Sequence, residues 1–205
     1  MRLLSPLFMI LVALFLARSA AADGESVILV LGDSLSAAYG MELDESWPSL
    51  LQGRLSEHGY AYRVFNSSIV GDTTEGGLTR LPRLLQEYQP RVVIIELGGN
   101  DGLRGLPLEV TRTNLQSMIT QSLSAGARVV LAGIRLPPNY GPAYTQRFSG
   151  LFESLANENP VQFIAFLLEG IALEPGLMLD DGIHPTAEAQ PLVLDSVWQA
   201  LEPVL

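Results

Sequence analysis

The 205 residues contain no cysteine and no lysine; all twelve basic side chains are arginine, set against 22 acidic ones. Without lysine, Schiff-base chemistry and Ser–Lys dyads are excluded by inventory. With two histidines and no cysteine, a zinc site of the usual ligand set has nothing to build from, and we expect neither metal nor cofactor. The absence of cysteine also removes any lipid-modified anchor, and it is compatible with an oxidising compartment without requiring one. The deficit of positive charge argues against nucleic acid and against electrostatic docking to anionic lipid. Aromatics are sparse at 7%. There is no internal repeat, low-complexity tract or linker that would split the chain.

Only one apolar run stands apart. Met1-Arg2 precedes Leu7–Leu16, which is too short to span a bilayer comfortably, and Ala20-Ala21-Ala22 follows. That order reads as a secretory signal over residues 1–21, cleaved near Ala21 or Ala22. We expect export to the periplasm or beyond and no stable membrane insertion after processing. Losing Arg2 and Arg18 shifts the formal charge from −10 to −12. Residues 22–205 suit a single domain, expected to be monomeric.

Within it, continuous apolar runs alternate with helix-like segments. Val27–Leu31 reads as a strand buried on both faces, ending at Gly32, with a helix-compatible segment three residues later. A helix from Trp47 carries Leu50, Leu51 and Leu55 and closes at Gly59; His58, near its last carbonyls, reads as structural. Strands follow near residues 61–66, 91–97, 127–134 and 161–166. Between them lie helices over residues 79–88, over 107–123 with Val110, Leu115, Met118 and Ile119, and around Phe148–Leu155. A terminal helix runs through Leu192, Val197 and Leu201. The stretch Gly98–Gly102 reads as a turn too rich in glycine for strand or helix. Alternation of this kind implies parallel βαβ units: a three-layer α/β/α fold of about five parallel strands, flavodoxin-like, in the order 2-1-3-4-5.

Right-handed crossovers put every carboxyl end of such a sheet on one edge. Three polar loops then converge there, at Ser34, Gly71-Asp72 and Asn100-Asp101. Ser34 is either a nucleophile whose own N–H steadies an oxyanion, or it and Asp33 cap the next helix. Gly71 offers an unobstructed N–H or a tight turn, and Asn100 an amide donor or a turn residue. A nucleophilic serine needs a base, and with His58 assigned to the far end of a helix the base is His184 by elimination. Asp181, three residues earlier, is placed to hold its Nδ1–H; Asp180 is the rival.

With those residues in place, the chain resembles the SGNH (GDSL-type) hydrolases. The four blocks read Gly32-Asp33-Ser34-Leu35-Ser36, Gly71-Asp72, Gly98-Gly99-Asn100-Asp101 and Asp181-Gly182-Ile183-His184-Pro185. Residues 98–105, 135–141 and 180–190 are similar to the branch of periplasmic enzymes with thioesterase, lysophospholipase and arylesterase activities. The resemblance implies Ser34 as nucleophile, His184 as base and Asp181 as its partner. It implies an oxyanion hole of Ser34 N–H, Gly71 N–H and the Asn100 side chain, with Asp33, Asp72 and Asp101 holding the loops. The substrate would be a small acyl ester or thioester, its groove flanked by residues 103–108 and 136–144, where Leu103, Leu106 and Leu108 suit an acyl chain or ordinary packing. Other readings are a carbohydrate acetylesterase of the same family and a non-catalytic flavodoxin-like binding module. The motif is not Gly-x-Ser-x-Gly, which disfavours the larger α/β-hydrolase fold.

Overall fold

The computed structural model describes residues 25–205, so the export segment expected at residues 1–21 lies outside the described residues. Five strands, β1 (Ser26–Gly32), β2 (Tyr62–Asn66), β3 (Val92–Glu96), β4 (Arg128–Ala132) and β5 (Gln162–Ile164), form one parallel sheet in the order β2-β1-β3-β4-β5. That is the order expected from the sequence. Successive side chains leave opposite faces of a strand. Ile28, Val30, Val92 and Ile94 therefore pack on one side, and Leu29, Leu31, Val93 and Ile95 on the other. The first face is covered by α1 (Trp47–Glu57) and α6 (Gln190–Leu201) through Trp47, Leu51, Val193 and Val197. The second is covered by α2 (Thr74–Tyr88), α4 (Leu108–Ser124) and α5 (Pro142–Glu158) through Leu81, Leu115, Phe148 and Phe152.

Several local expectations are corrected. Residues 34–40 form successive turns rather than a helix. Ala38 and Gly40 have φ of 57° and 76°, outside the right-handed helical region. Helix α2 starts at Thr74, five residues earlier than its apolar pattern suggests. The Thr73 side chain accepts the Gly76 N–H at 3.4 Å, and Asp101 Oδ2 accepts the Thr74 N–H at 2.9 Å. Capping from outside the segment thus carries the helix through Gly76-Gly77, which have low propensity of their own. The stretch after β3 is a short helix, α3 (Gly99–Leu103), not a turn. A side chain at Gly102 would begin 2.7 Å from Phe148 and 2.8 Å from Leu136, so this glycine serves close packing rather than flexibility. Val110 and Leu192, on apolar stripes by spacing, are exposed at 47% and 43%.

Gly133, just beyond β4, also marks a close approach. A Cβ there would sit 2.5 Å from the Ala165 carbonyl oxygen and 2.8 Å from that of Ile164, both main chain and unable to rotate away. Gly133→Ala is expected to cost about 1–3 kcal/mol through overpacking. Gly53→Ala, on an exposed turn of α1 with open space around it, is expected to add about 0.5–1 kcal/mol. Urea unfolding of the two variants measures both, and equal effects would remove the steric argument.

Candidate active site

Ser34 leaves the carboxyl end of β1 and meets His184, which arrives from a loop more than a hundred residues away. His184 Nε2 lies 2.9 Å from Ser34 Oγ, and His184 Nδ1 lies 2.7 Å from Asp181 Oδ2. The loop is built to hold that geometry. Asp181 Oδ1 accepts the N–H groups of Ile183 (2.9 Å) and His184 (3.0 Å), and the Leu179 N–H donates to the His184 carbonyl at 2.8 Å. Burial works against the Asp181 charge. Hydrogen bonds from the His184 ring and from two backbone N–H groups outweigh it and hold the carboxyl below its ordinary value. Asp180, the rival partner, makes no hydrogen bond to His184. His58 caps α1 far from this loop, its ring 5.0 Å from that of Trp198.

Gly71 and Asn100 line the same cavity as Ser34 and His184, with a volume of about 650 Å³. Among the described residues, neither the Ser34 N–H nor the Gly71 N–H has an intramolecular acceptor. Gly71 has φ of 76°, and its carbonyl accepts from Arg104 at 2.8 Å. Asn100 Nδ2 donates to Asp33 Oδ2 at 3.0 Å, which uses one amide hydrogen and leaves the other. Of the carboxylates expected to hold the loops, Asp33 also accepts the Leu35 N–H at 3.1 Å. Asp72 pairs with Arg80 at 2.7 Å, and Asp101 takes the Thr74 N–H and hydroxyl. Among the described residues no three His, Asp or Glu side chains gather as metal ligands.

One participant escaped the sequence reading. Glu96, the last residue of β3, is fully buried and lies across Gly32, its register partner on β1. Its Oε2 accepts from Ser36 Oγ at 2.7 Å and from the Asp33 N–H at 3.3 Å, so one oxygen holds the chain on both sides of Ser34. A Cβ on Gly32 would sit 2.8 Å from that oxygen. The signal was available: Glu96 is an acidic residue ending the otherwise apolar run Val92–Ile95.

Burial pushes the Glu96 carboxyl well above its ordinary value, with Asp33 adding to the effect, and its Oε1 has no partner. Burial likewise raises Asp33 from 3.8 to about 6, opposed by its bonds to Leu35 and Asn100. Both groups hold protons more tightly folded than unfolded. Their stabilisation is full below the unfolded values and is lost as pH rises through the folded ones. Glu96→Gln keeps an acceptor oxygen and has no proton to lose. Its stability relative to wild type is therefore expected to rise as pH climbs above 4.5, the ordinary glutamate value, in paired thermal melts. A difference independent of pH would show that folding does not raise the Glu96 carboxyl above its ordinary value.

The chain matches the GDSL-like Lipase/Acylhydrolase family over residues 30–191. It is 50% identical over 178 residues to esterase TesA of Pseudomonas aeruginosa, covering 87% of this chain and 89% of that one. It is also 50% identical over 188 residues to an arylesterase of Vibrio mimicus, covering 92% and 94%. To thioesterase 1/protease 1/lysophospholipase L1 of Escherichia coli K12 it is 44% identical over 188 residues, covering 92% and 88%. The fold superposes on the crystal structure of TesA with a TM-score of 0.86 at 49% identity, covering 88% of this chain and all of that one. By sequence and by fold, the chain belongs to the GDSL-like lipase/acylhydrolase family.

Proposed function

We propose that the chain is a serine ester hydrolase that works through an acyl-enzyme on Ser34. The observation that carries this is the unbroken run from Ser34 Oγ to His184 Nε2 and from His184 Nδ1 to Asp181, at 2.9 and 2.7 Å, beside two unpartnered backbone N–H groups. His184 takes the hydroxyl proton as Ser34 Oγ bonds to the acyl carbon, and Asp181 keeps the imidazole in the tautomer that receives it. The carbonyl π electrons move onto oxygen. The N–H groups of Ser34 and Gly71, with the free amide hydrogen of Asn100, face the developing charge. The tetrahedral intermediate collapses, the leaving alcohol or thiol takes the proton from His184, and water repeats the sequence to release the acid.

The cavity wall favours an acyl substrate over a sugar. Beyond Ser34 it is mostly apolar, with Ile134, Leu136, Leu167, Leu168 and Met178 running toward the ends of β4 and β5. Leu103 lines it as well, but Leu106 and Leu108 do not. Aryl esters, acyl glycerol esters of the lysophospholipid type and acyl thioesters all present an apolar acyl group on a good or moderate leaving group. The names of the three relatives point to the same range. The N-terminal sequence supports export to the periplasm by a signal over residues 1–21, leaving a monomeric single-domain enzyme without a membrane-spanning segment; among the described residues no helix is long and apolar enough to cross a bilayer.

A fluorophosphonate probe is expected to label the processed protein and to fail on Ser34→Ala. Hydrolysis of p-nitrophenyl esters of increasing acyl length then reads the groove. Asn100→Ala is expected to lose about 10²-fold or more in kcat with KM little changed. A folded wild type that resists the probe would overturn the reading, and near wild-type turnover of Asn100→Ala would remove that residue from the oxyanion hole.

A further inference from the structure

The turns between Ser34 and Leu43 have no part in the chemistry described above, yet they contain an unusual backbone. Ala38 has φ of 57°, in the left-handed region that residues with a Cβ avoid. Among the described residues the only other non-glycine with positive φ is Gln89, which closes α2 as its C-cap. Ala38 closes no helix. Two residues on, Gly40 is also left-handed, with φ of 76°. Strain of this kind persists where the surrounding structure over-determines it, often beside functional groups. Tyr39 stands between the two.

The Tyr39 ring lies against the His184 imidazole, with centroids 4.1 Å apart and planes inclined by 32°. The turn is also fitted to the segment that carries His184. A Cβ on Gly40 would come within 2.9 Å of Leu179 Cδ1, and Leu179 is the residue whose N–H donates to the His184 carbonyl. Asp181 and Ser34 occupy the two ring nitrogens, and among the described residues Tyr39 alone meets the imidazole with an aromatic face. Among the described residues its hydroxyl has no intramolecular partner. The fold uses the ring, not the hydroxyl.

We propose that Tyr39 is a positioning residue, held by the paired left-handed backbone at Ala38 and Gly40, whose ring keeps His184 aimed at Ser34 and faces the imidazolium formed when the serine proton is transferred. This rests on the ester hydrolase reading. A π face within about 6 Å of a cation attracts it, and here the cation exists only while the tetrahedral species forms and collapses. The contact therefore favours the transition state over the resting enzyme, and its loss should appear in kcat rather than KM.

The test compares Tyr39→Leu, Tyr39→Met and Tyr39→Phe with wild type on p-nitrophenyl acetate, whose short acyl group makes little use of the cavity wall. Tyr39→Leu and Tyr39→Met are expected to lose about fivefold to tenfold in kcat, with KM within about twofold and the melting temperature unmoved. Tyr39→Phe, which keeps the ring, is expected to recover most of that loss. Wild-type kcat in the leucine and methionine variants would overturn the proposal. So would equal losses in leucine and phenylalanine, which would assign the effect to the hydroxyl, or a change in KM alone, which would leave Tyr39 as cavity wall. Fluorophosphonate labelling of the same samples separates the two layers: labelling that depends on Ser34 with no kcat effect rejects the role of Tyr39 only, and no labelling of wild type rejects the hydrolase reading beneath it.

Discussion

A strand covered on both faces has no place for a polar side chain along its length, because a buried polar group without a partner costs more than the packing around it returns. In this sheet the constraint drives polar residues to the carboxyl ends of the central strands. Asp33 and Ser34 follow β1, and Glu96 ends β3. Crowded together there, they have to satisfy one another. Glu96 Oε2 takes the Asp33 N–H and the Ser36 hydroxyl, and Asp33 takes the Leu35 N–H and the Asn100 amide. The site is the place where the polar requirements of the buried central strands are met.

That origin explains how an acidic protein assembles four carboxylates near one serine. They are handled in three ways. Asp72 is neutralised by Arg80, which also reaches the Ser67 carbonyl and hydroxyl. Asp181 keeps its charge through the imidazole and two backbone N–H groups. Burial favours the protonated forms of Asp33 and above all Glu96, so the pair beside Ser34 carries less negative charge than its composition suggests. An oxyanion forming beside two fully charged carboxylates would meet strong repulsion in a low-dielectric setting. Because burial shifts Glu96 toward its protonated form, the carboxyl that holds the serine loop opposes less of the charge that the loop has to stabilise.

The relation between sequence and structure differs from element to element. Val27–Gly32 and Val92–Glu96 were legible because an apolar run of that length, bounded by glycine or charge, has few alternatives. Gly98–Gly102 was not, because glycine count signals flexibility by default, whereas Gly102 is small to admit Phe148 and Leu136. The start of α2 was hidden for a related reason: its first N–H is held by Asp101, from an element 27 residues further along. The segment after Ser34 looked helix-compatible by composition and became turns around Ala38 and Gly40. Ser34, Gly71, Asn100, Asp181 and His184 could be nominated from residue type, order and the small number of histidines, since chemistry limits which side chains serve. Glu96 and Tyr39 were not, since each meets its partner across a sequence distance that conceals the contact.

The sequence by itself determined the alternation of buried strands and helices, the parallel sheet with its single carboxyl edge, and the short inventory of groups able to carry acyl chemistry. These follow from local periodicity and composition, which need no knowledge of what packs against what. Only the tertiary structure decided that Glu96 lies across Gly32, that the cavity runs toward β4 and β5 rather than along Leu106 and Leu108, and that Tyr39 covers His184. Each depends on contacts between segments far apart in the chain, and the close packing that fixes such contacts is a property of the folded interior, not of any local stretch of residues.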